Sequence, residues 1–230
     1  IIEILSGRVR KMATIYDVAA YAGVSPKTVS RVINGDAPVS DKTRAKVETA
    51  IAALGYIPSS AARVMRSNRS DLVGLITGAI SRTGEHSGVH GLPDMFLIKG
   101  IQQKIREAGK TLMIADTDNR YEQIDPLVRT FMEHRAEGIL YVTESHREIV
   151  LPEMPNRCPM VLVNCFDAVG TPSVLPDDER GQYDLVRNII RRGHRRIAYI
   201  TLQAGAEATR LRLAGYRRAL DESNMVFDPD

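Results

Sequence analysis

The sequence has no tryptophan, only four phenylalanines and only two cysteines in 230 residues. Aromatic residues make up 5% of it, so a stacked platform for gripping sugar rings is not evident. No apolar run approaches the roughly 20 residues that a membrane-spanning helix needs. The opening IIEILSGRVRKM is too short and too charged for a secretory signal. Catalytic fingerprints are missing too. There is no G-x-S-x-G, no phosphate-binding P-loop, no G-x-G-x-x-G after the first strand-like run, and no histidine–carboxylate pair evident at the strand ends. Together these absences speak against an enzyme. Cys158 and Cys165 sit in CPMVLVNC, a buried-strand pattern whose spacing fits no zinc site, and they read as two reduced thiols in an apolar lining. His86 and His90 are flanked by Gly84, Gly88 and Gly91, which point to a loop rather than a helix presenting two ligands. No metal and no cofactor are expected.

What is present is an ordinary globular composition, 43% hydrophobic and 26% charged, long enough for two domains. The net charge of +3 conceals an asymmetry. Residues 1–70 carry 11 lysines and arginines against 5 acids, whereas residues 71–230 carry 20 against 23. A basic head on a slightly acidic body points to a polyanionic partner for the head alone. Met12 reads as a natural start, so residues 1–13 are set aside as an N-terminal extension.

Local rules predict three short helices over residues 14–57. Thr14 is a candidate N-cap with Asp17 three residues on, a capping-box arrangement. Ile15, Val18 and Ala19 share one face, and Gly23 supplies a turn. Ser25 caps a second helix with Pro26 at its first position, where no backbone donor is needed. Val29, Val32 and Ile33 face inward there, and Lys27, Thr28, Ser30 and Arg31 face outward. Asn34-Gly35 closes that helix. A third, capped by Ser40, runs from about Asp41 to Leu54, with Ala45, Val47, Ala50, Ile51 and Leu54 inward.

Two helices joined by a short glycine turn form a helix-turn-helix, which places the second helix in the DNA major groove. Arg31 is the best candidate base reader, because a guanidinium can grip guanine O6 and N7 together. Lys27 comes next, and Pro26 offers apolar contact only. Tyr16, Ser25, Thr28, Ser30 and Asn34 suit phosphate contacts, which position without reading sequence. The same polar face would also serve an ordinary helical bundle in water.

The stretch IYDVAAYAGVSPKTVSRVINGDAPVSDKTRAKVETAIAALGYIPSSAAR closely resembles the N-terminus of the LacI/GalR family of bacterial regulators. That resemblance implies a DNA-binding headpiece, paired in a homodimer that reads a pseudo-palindromic operator in double-stranded DNA. It also implies that residues 58–70, SSAARVMRSNRS and its flank, form a hinge helix that folds on the operator. Met65 stands where the family inserts a leucine into the minor groove, and Ala62 where a small residue allows close approach. Read without the resemblance, this segment is equally a flexible basic linker.

From residue 71 strand-like and helical runs alternate: LVGLI at 72–76, a helix over 96–108, TLMIA at 111–115, a helix over 125–134, GILYV at 138–142 and MVLVN at 160–164. A second series follows: a helix over 182–192, RIAYI at 196–200 and a helix over 208–222. Such alternation predicts an α/β domain of parallel sheets covered by helices, with ligands beyond the carboxyl ends of the strands. GHRRIAYI and RLRLAGYRRAL are similar to the same family's effector domain, which resembles periplasmic sugar-binding proteins. Residues 71–171 and 172–230 then correspond to two subdomains. Arg212 matches the arginine that binds effector hydroxyls or carboxylates. Asp177, Asp178 and Gly181 resemble a D-N-x-x-G element, also readable as plain helix capping.

The loop ISRTGEHSGVHGLPDMF departs from the family's short N-P-F-F passage, with Asp94 and Phe96 falling near it. Asp94, Phe96, Asp116, Glu144 and Arg212 are the candidate effector residues, suited to a sugar or similar hydroxylated metabolite. The family pattern continues well past Asp230, so both subdomains are expected to be incomplete and the sequence partial. The expected function is a cytoplasmic, metabolite-controlled transcriptional repressor. The alternative is a periplasmic-type sugar-binding module without DNA function, against which the basic head and the missing export signal both count.

Overall fold

The computed structural model describes residues 12–35, 38–58, 69–78, 94–153 and 159–228, without the side chains of Asp94 and Met95. Residues 1–69 and 70–230 form two compact units.

The first unit contains α1 (Ile15–Ala22), α2 (Pro26–Asn34) and α3 (Asp41–Leu54). Each has its own start and stop written in adjacent residues. The Thr14 and Asp17 side chains complete a reciprocal capping box, and Ser25 and Ser40 each accept from the backbone N–H three residues ahead. Gly23, Gly35 and Gly55 close the three helices in the left-handed region, φ +66°, +69° and +57°. Val18, Ala19, Ala22, Val29, Val32, Val47 and Ala50 form the core, with Ile15, Ile33, Ile51 and Leu54 packed on it. Ala45 was expected inside and is exposed. At about 100° per residue it lies some 200° from Val47 around the helix, off the face that Val47, Ala50, Ile51 and Leu54 share.

The second unit is an α/β body. Its elements are β1 (Leu72–Thr77), α4 (Asp94–Glu107), β2 (Thr111–Asp116), α5 (Ile124–Glu133) after a single 3-10 turn, β3 (Gly138–Glu148), β4 (Met160–Phe166), β5 (Ser173–Val174), α6 (Asp178–Arg191) and α7 (Glu207–Asp221). The five strands form one parallel sheet in the order β2-β1-β3-β4-β5. Alternation along β1 sends Leu75 to one face, with Ile98 of α4, and Ile76 to the other, with Val128 and Phe131 of α5. Cys165 is free and buried, and burial pushes its thiol above the ordinary range. Cys158 lies outside the described residues, as do His86 and His90.

Two differences from the expected elements matter. RIAYI at 196–200 is not a strand: Ile200 is 95% exposed, and no described strand lies beside the run to complete a ladder. A strand exists only through its partners, however apolar its sequence. Instead Ile197 and Tyr199 pack on the α6–α7 pair with Val186, Tyr216, Ala219 and Leu220. Conversely, Ser173–Val174, expected in the second subdomain, pairs with β4 and extends the first sheet.

Candidate functional site

In the first unit the exposed face of α2 is the feature of interest. Lys27, Arg31 and Asn34 are exposed; Pro26, Thr28 and Ser30 are half-buried. The inward residues Val29 and Val32 fix the helix rotation, so Lys27 and Arg31, one turn apart, present both cations on the solvent side. Tyr16 on α1 is 72% exposed, and Tyr21, which sequence reasoning passed over, is 61% exposed.

Several candidate phosphate contacts also have local partners. Ser25 Oγ accepts from the Thr28 amide at 3.2 Å and lies 3.0 Å from Thr28 Oγ1. Asn34 Nδ2 donates to Ser30 Oγ at 3.0 Å. These bonds hold the polar side chains against the helix, and a hydroxyl used as a cap still has its proton to donate. Ser25→Ala should therefore lower headpiece stability by about 1 kcal/mol through the lost cap. Urea melts of the chain monitored by far-ultraviolet dichroism check this; an unchanged midpoint would show that the cap is idle. Ala62 and Met65 lie outside the described residues.

In the second unit the chain runs from β1 out to edge strand β2, then crosses to β3 on the other side of β1. That reversal opens a crevice at the carboxyl ends of β1 and β3, where open α/β sheets take their ligands. A cleft of about 290 Å³ lies there, lined by Gly78, Thr117, Asn119, Tyr121, Glu144 and Arg147 among others. Asn119 Nδ2 donates to the Gly78 carbonyl at 2.9 Å and ties the loops after β1 and β2 together. Tyr141 also lines the cleft, and burial raises its phenol above the usual range.

Of the four candidate effector residues whose side chains are described, Glu144 alone lines this cleft. Asp116 ends β2 and accepts from the Asp118 amide at 2.6 Å, a turn contact. Phe96 lies on α4, 72% exposed. Asp94 opens α4, and its side chain is outside the described residues. Arg212 lies instead against α6, where its Nε donates to Asp178 Oδ1 at 2.7 Å.

Asp178 reaches a second partner, His146, whose Nδ1 is 2.9 Å from Oδ2. A histidine–carboxylate pair thus stands at a strand end, where none was expected from the sequence. It arises from an irregularity in β3. The expected strand stopped at Val142, but the chain rejoins β4 at Arg147, leaving Thr143–His146 as a bulge. Asn164 anchors the bulge: in the left-handed region at φ 62°, its Nδ2 donates to the Thr143 carbonyl at 3.0 Å, and Thr143 Oγ1 donates to the Asn164 carbonyl at 3.0 Å. The bulge turns His146 inward, edge-on to Phe166 at 5.8 Å between centroids. Asp177 caps α6 through Oδ1 to the Arg180 amide at 3.1 Å, the plain capping reading of that segment. No group of three or more histidine, cysteine, aspartate or glutamate residues able to hold a metal occurs among the described residues.

Two family profiles match the chain. "Bacterial regulatory proteins, lacI family" covers residues 14–59, and "Periplasmic binding proteins and sugar binding domain of LacI family" covers residues 95–228, more than half of the sequence. The chain belongs to the LacI family. Among LacI-family relatives, the ribose operon repressor of Escherichia coli K12 is 34% identical over 219 residues, covering 93% of this chain and 63% of that protein. The HTH-type transcriptional repressor PurR of Aliivibrio fischeri ES114 is 30% identical over 222 residues, covering 95% and 63%. The chain thus spans about 63% of the length of these curated relatives. The solved lac repressor dimer bound to operator and the anti-inducer ONPF aligns with a TM-score of 0.68 at 26% identity, covering 94% of this chain and 64% of that one. The fold is therefore a helical helix-turn-helix head followed by an α/β body with a parallel sheet, as in that repressor.

Proposed function

We propose that this LacI-family chain is the DNA-reading and metabolite-sensing part of a dimeric transcriptional repressor. The observation that carries the reading is the α2 face, with Lys27 and Arg31 exposed on a capped helix-turn-helix within a basic head. Arg31 and Lys27 read bases, Pro26 adds apolar contact, and Tyr16, Ser25, Thr28, Ser30 and Asn34 meet phosphates. Met65 and Ala62 serve the minor groove in a hinge over 58–70. Acting on operator DNA places the protein in the cytoplasm. The effector is a small hydroxylated metabolite bound at the strand ends and at Arg212. The relative named for the ribose operon makes D-ribose the first to try.

Selection of bound sites from random DNA, followed by gel shifts at two salt concentrations, tests the DNA reading. Site-selective binding that weakens steeply with salt is expected. No selected motif would leave the sugar-binding module as the better description. On the selected site Arg31→Ala should cost about 1–3 kcal/mol and relax selectivity at one base pair. Equal weakening on every sequence would make Arg31 a phosphate contact.

A further inference from the structure

We propose that Asp178 and His146 are positioning residues for Arg212: they hold its guanidinium by the Nε edge, so that the two Nη nitrogens face a ligand with paired acceptor oxygens. This rests on the effector reading of Arg212 and adds two residues to it: His146, which the sequence did not mark, and Asp178, which it marked only as part of a D-N-x-x-G-like element.

The geometry is a chain of three side chains from three elements. His146 comes from the β3 bulge, Asp178 from the first turn of α6 and Arg212 from α7. The His146 and Asp178 side chains are each 4% exposed, while that of Arg212 is 42% exposed. Among the described residues each oxygen of the buried carboxylate has one partner, Oδ1 the Arg212 Nε and Oδ2 the His146 Nδ1. A carboxylate this buried needs such partners to offset its lost hydration. Because both oxygens are held, the carboxylate cannot rotate, and the guanidinium bonded to it is fixed in plane and direction. An arginine gripped through Nε retains the Nη1–Nη2 edge, whose parallel N–H bonds match a carboxylate or two neighbouring hydroxyls. The frame beneath is rigid. Gly215 of α7 lies so close to α6 that a Cβ there would meet the Glu179 carbonyl oxygen at 2.1 Å. Asp178 and Arg212 therefore move together, and His146 ties both to the sheet.

The hold on Arg212 is read from the Nε–H spectrum of the whole chain labelled with 15N-arginine, with the signal assigned by Arg212→Lys; a purely structural ion pair would give the same spectrum but would leave ligand affinity indifferent to Asp178. Expected is an Arg212 Nε–H displaced from the free-arginine position and as ordered as the backbone. Asp178→Ala should return it to the free, mobile position. Asp178→Asn should keep it held, since the amide still offers an oxygen to Nε and an N–H to His146 Nδ1. His146→Ala should broaden it, and Glu207→Gln, on the same helix, should leave it unchanged. A free, mobile Arg212 signal in the unaltered chain overturns the proposal, and that spectrum decides even should Asp178→Ala fail to fold. An unchanged signal in a folded Asp178→Ala chain overturns it equally. Calorimetric titration with D-ribose separates the two readings. If ribose binds, Asp178→Ala should lose most of the affinity and Asp178→Asn should restore it, whereas equal affinity in all variants counts against positioning. A held Arg212 in a chain that takes up no ribose upholds the positioning and sinks only ribose as effector.

Discussion

Phe131→Ala should destabilise the α/β body by about 3–5 kcal/mol. The ring is 1% exposed and central to the cluster of Ile76, Ile124, Val128, Ile139, Met160 and Leu162. It lies directly over Gly74 of β1, where an added Cβ would sit 2.6 Å from Phe131 Cδ2. The glycine is a notch in the sheet surface, and the ring fills it. Removing the ring leaves a void floored by strand backbone, which cannot relax inward without breaking the β1 ladder, so little of the lost packing is recovered. Urea unfolding of the body, followed by tyrosine fluorescence, should show a lower midpoint with an unchanged slope. A loss below about 1 kcal/mol would mean that neighbouring side chains close the cavity.

Gly215→Ala should cost about 2 kcal/mol, against the direction that helix propensity sets. Alanine in place of a mid-helix glycine normally gains about 1 kcal/mol. Here the new methyl would meet the Glu179 carbonyl oxygen at 2.1 Å and the Tyr183 amide nitrogen at 3.0 Å, both backbone atoms of α6. Neither can rotate away, so the helices must separate, an overpacking cost at the upper end of the usual 1–3 kcal/mol. The separation also strains the Arg218–Glu179 pair, at 2.8 Å, and the Arg212–Asp178 pair, at 2.7 Å. Thermal melts of the variant check this. A neutral or raised midpoint would place α6 and α7 further apart than described.

The headpiece was legible almost residue by residue because its signals are local. A cap, a helical glycine stop and an apolar face are each contained within about one turn of chain, so Thr14, Ser25, Ser40, Gly23 and Gly35 could be assigned without knowing what lay opposite. Ala45 went astray for a related reason: a small apolar residue carries too weak a preference to reveal its face. In the body, the apolar runs of β1 to β4 announced themselves. The effector residues did not. Asp94, Phe96, Asp116, Glu144 and Arg212 lie near strand ends or match a family position, and of those whose side chains are described only Glu144 lines the cleft.

The sequence by itself determined the order of elements, the helix boundaries of the head, the alternation that makes a parallel sheet, and the resemblance that points to the family. Each follows from interactions within a few residues or from a pattern of periods 2 and 3.6. Only the tertiary structure decided that RIAYI has no described strand beside it, that β3 bulges over Thr143–His146, and that His146, Asp178 and Arg212 meet. The last of these joins partners 32 and 34 residues apart. No local period encodes such a meeting, because it is fixed by how β3, α6 and α7 pack, and that packing is a property of the whole body.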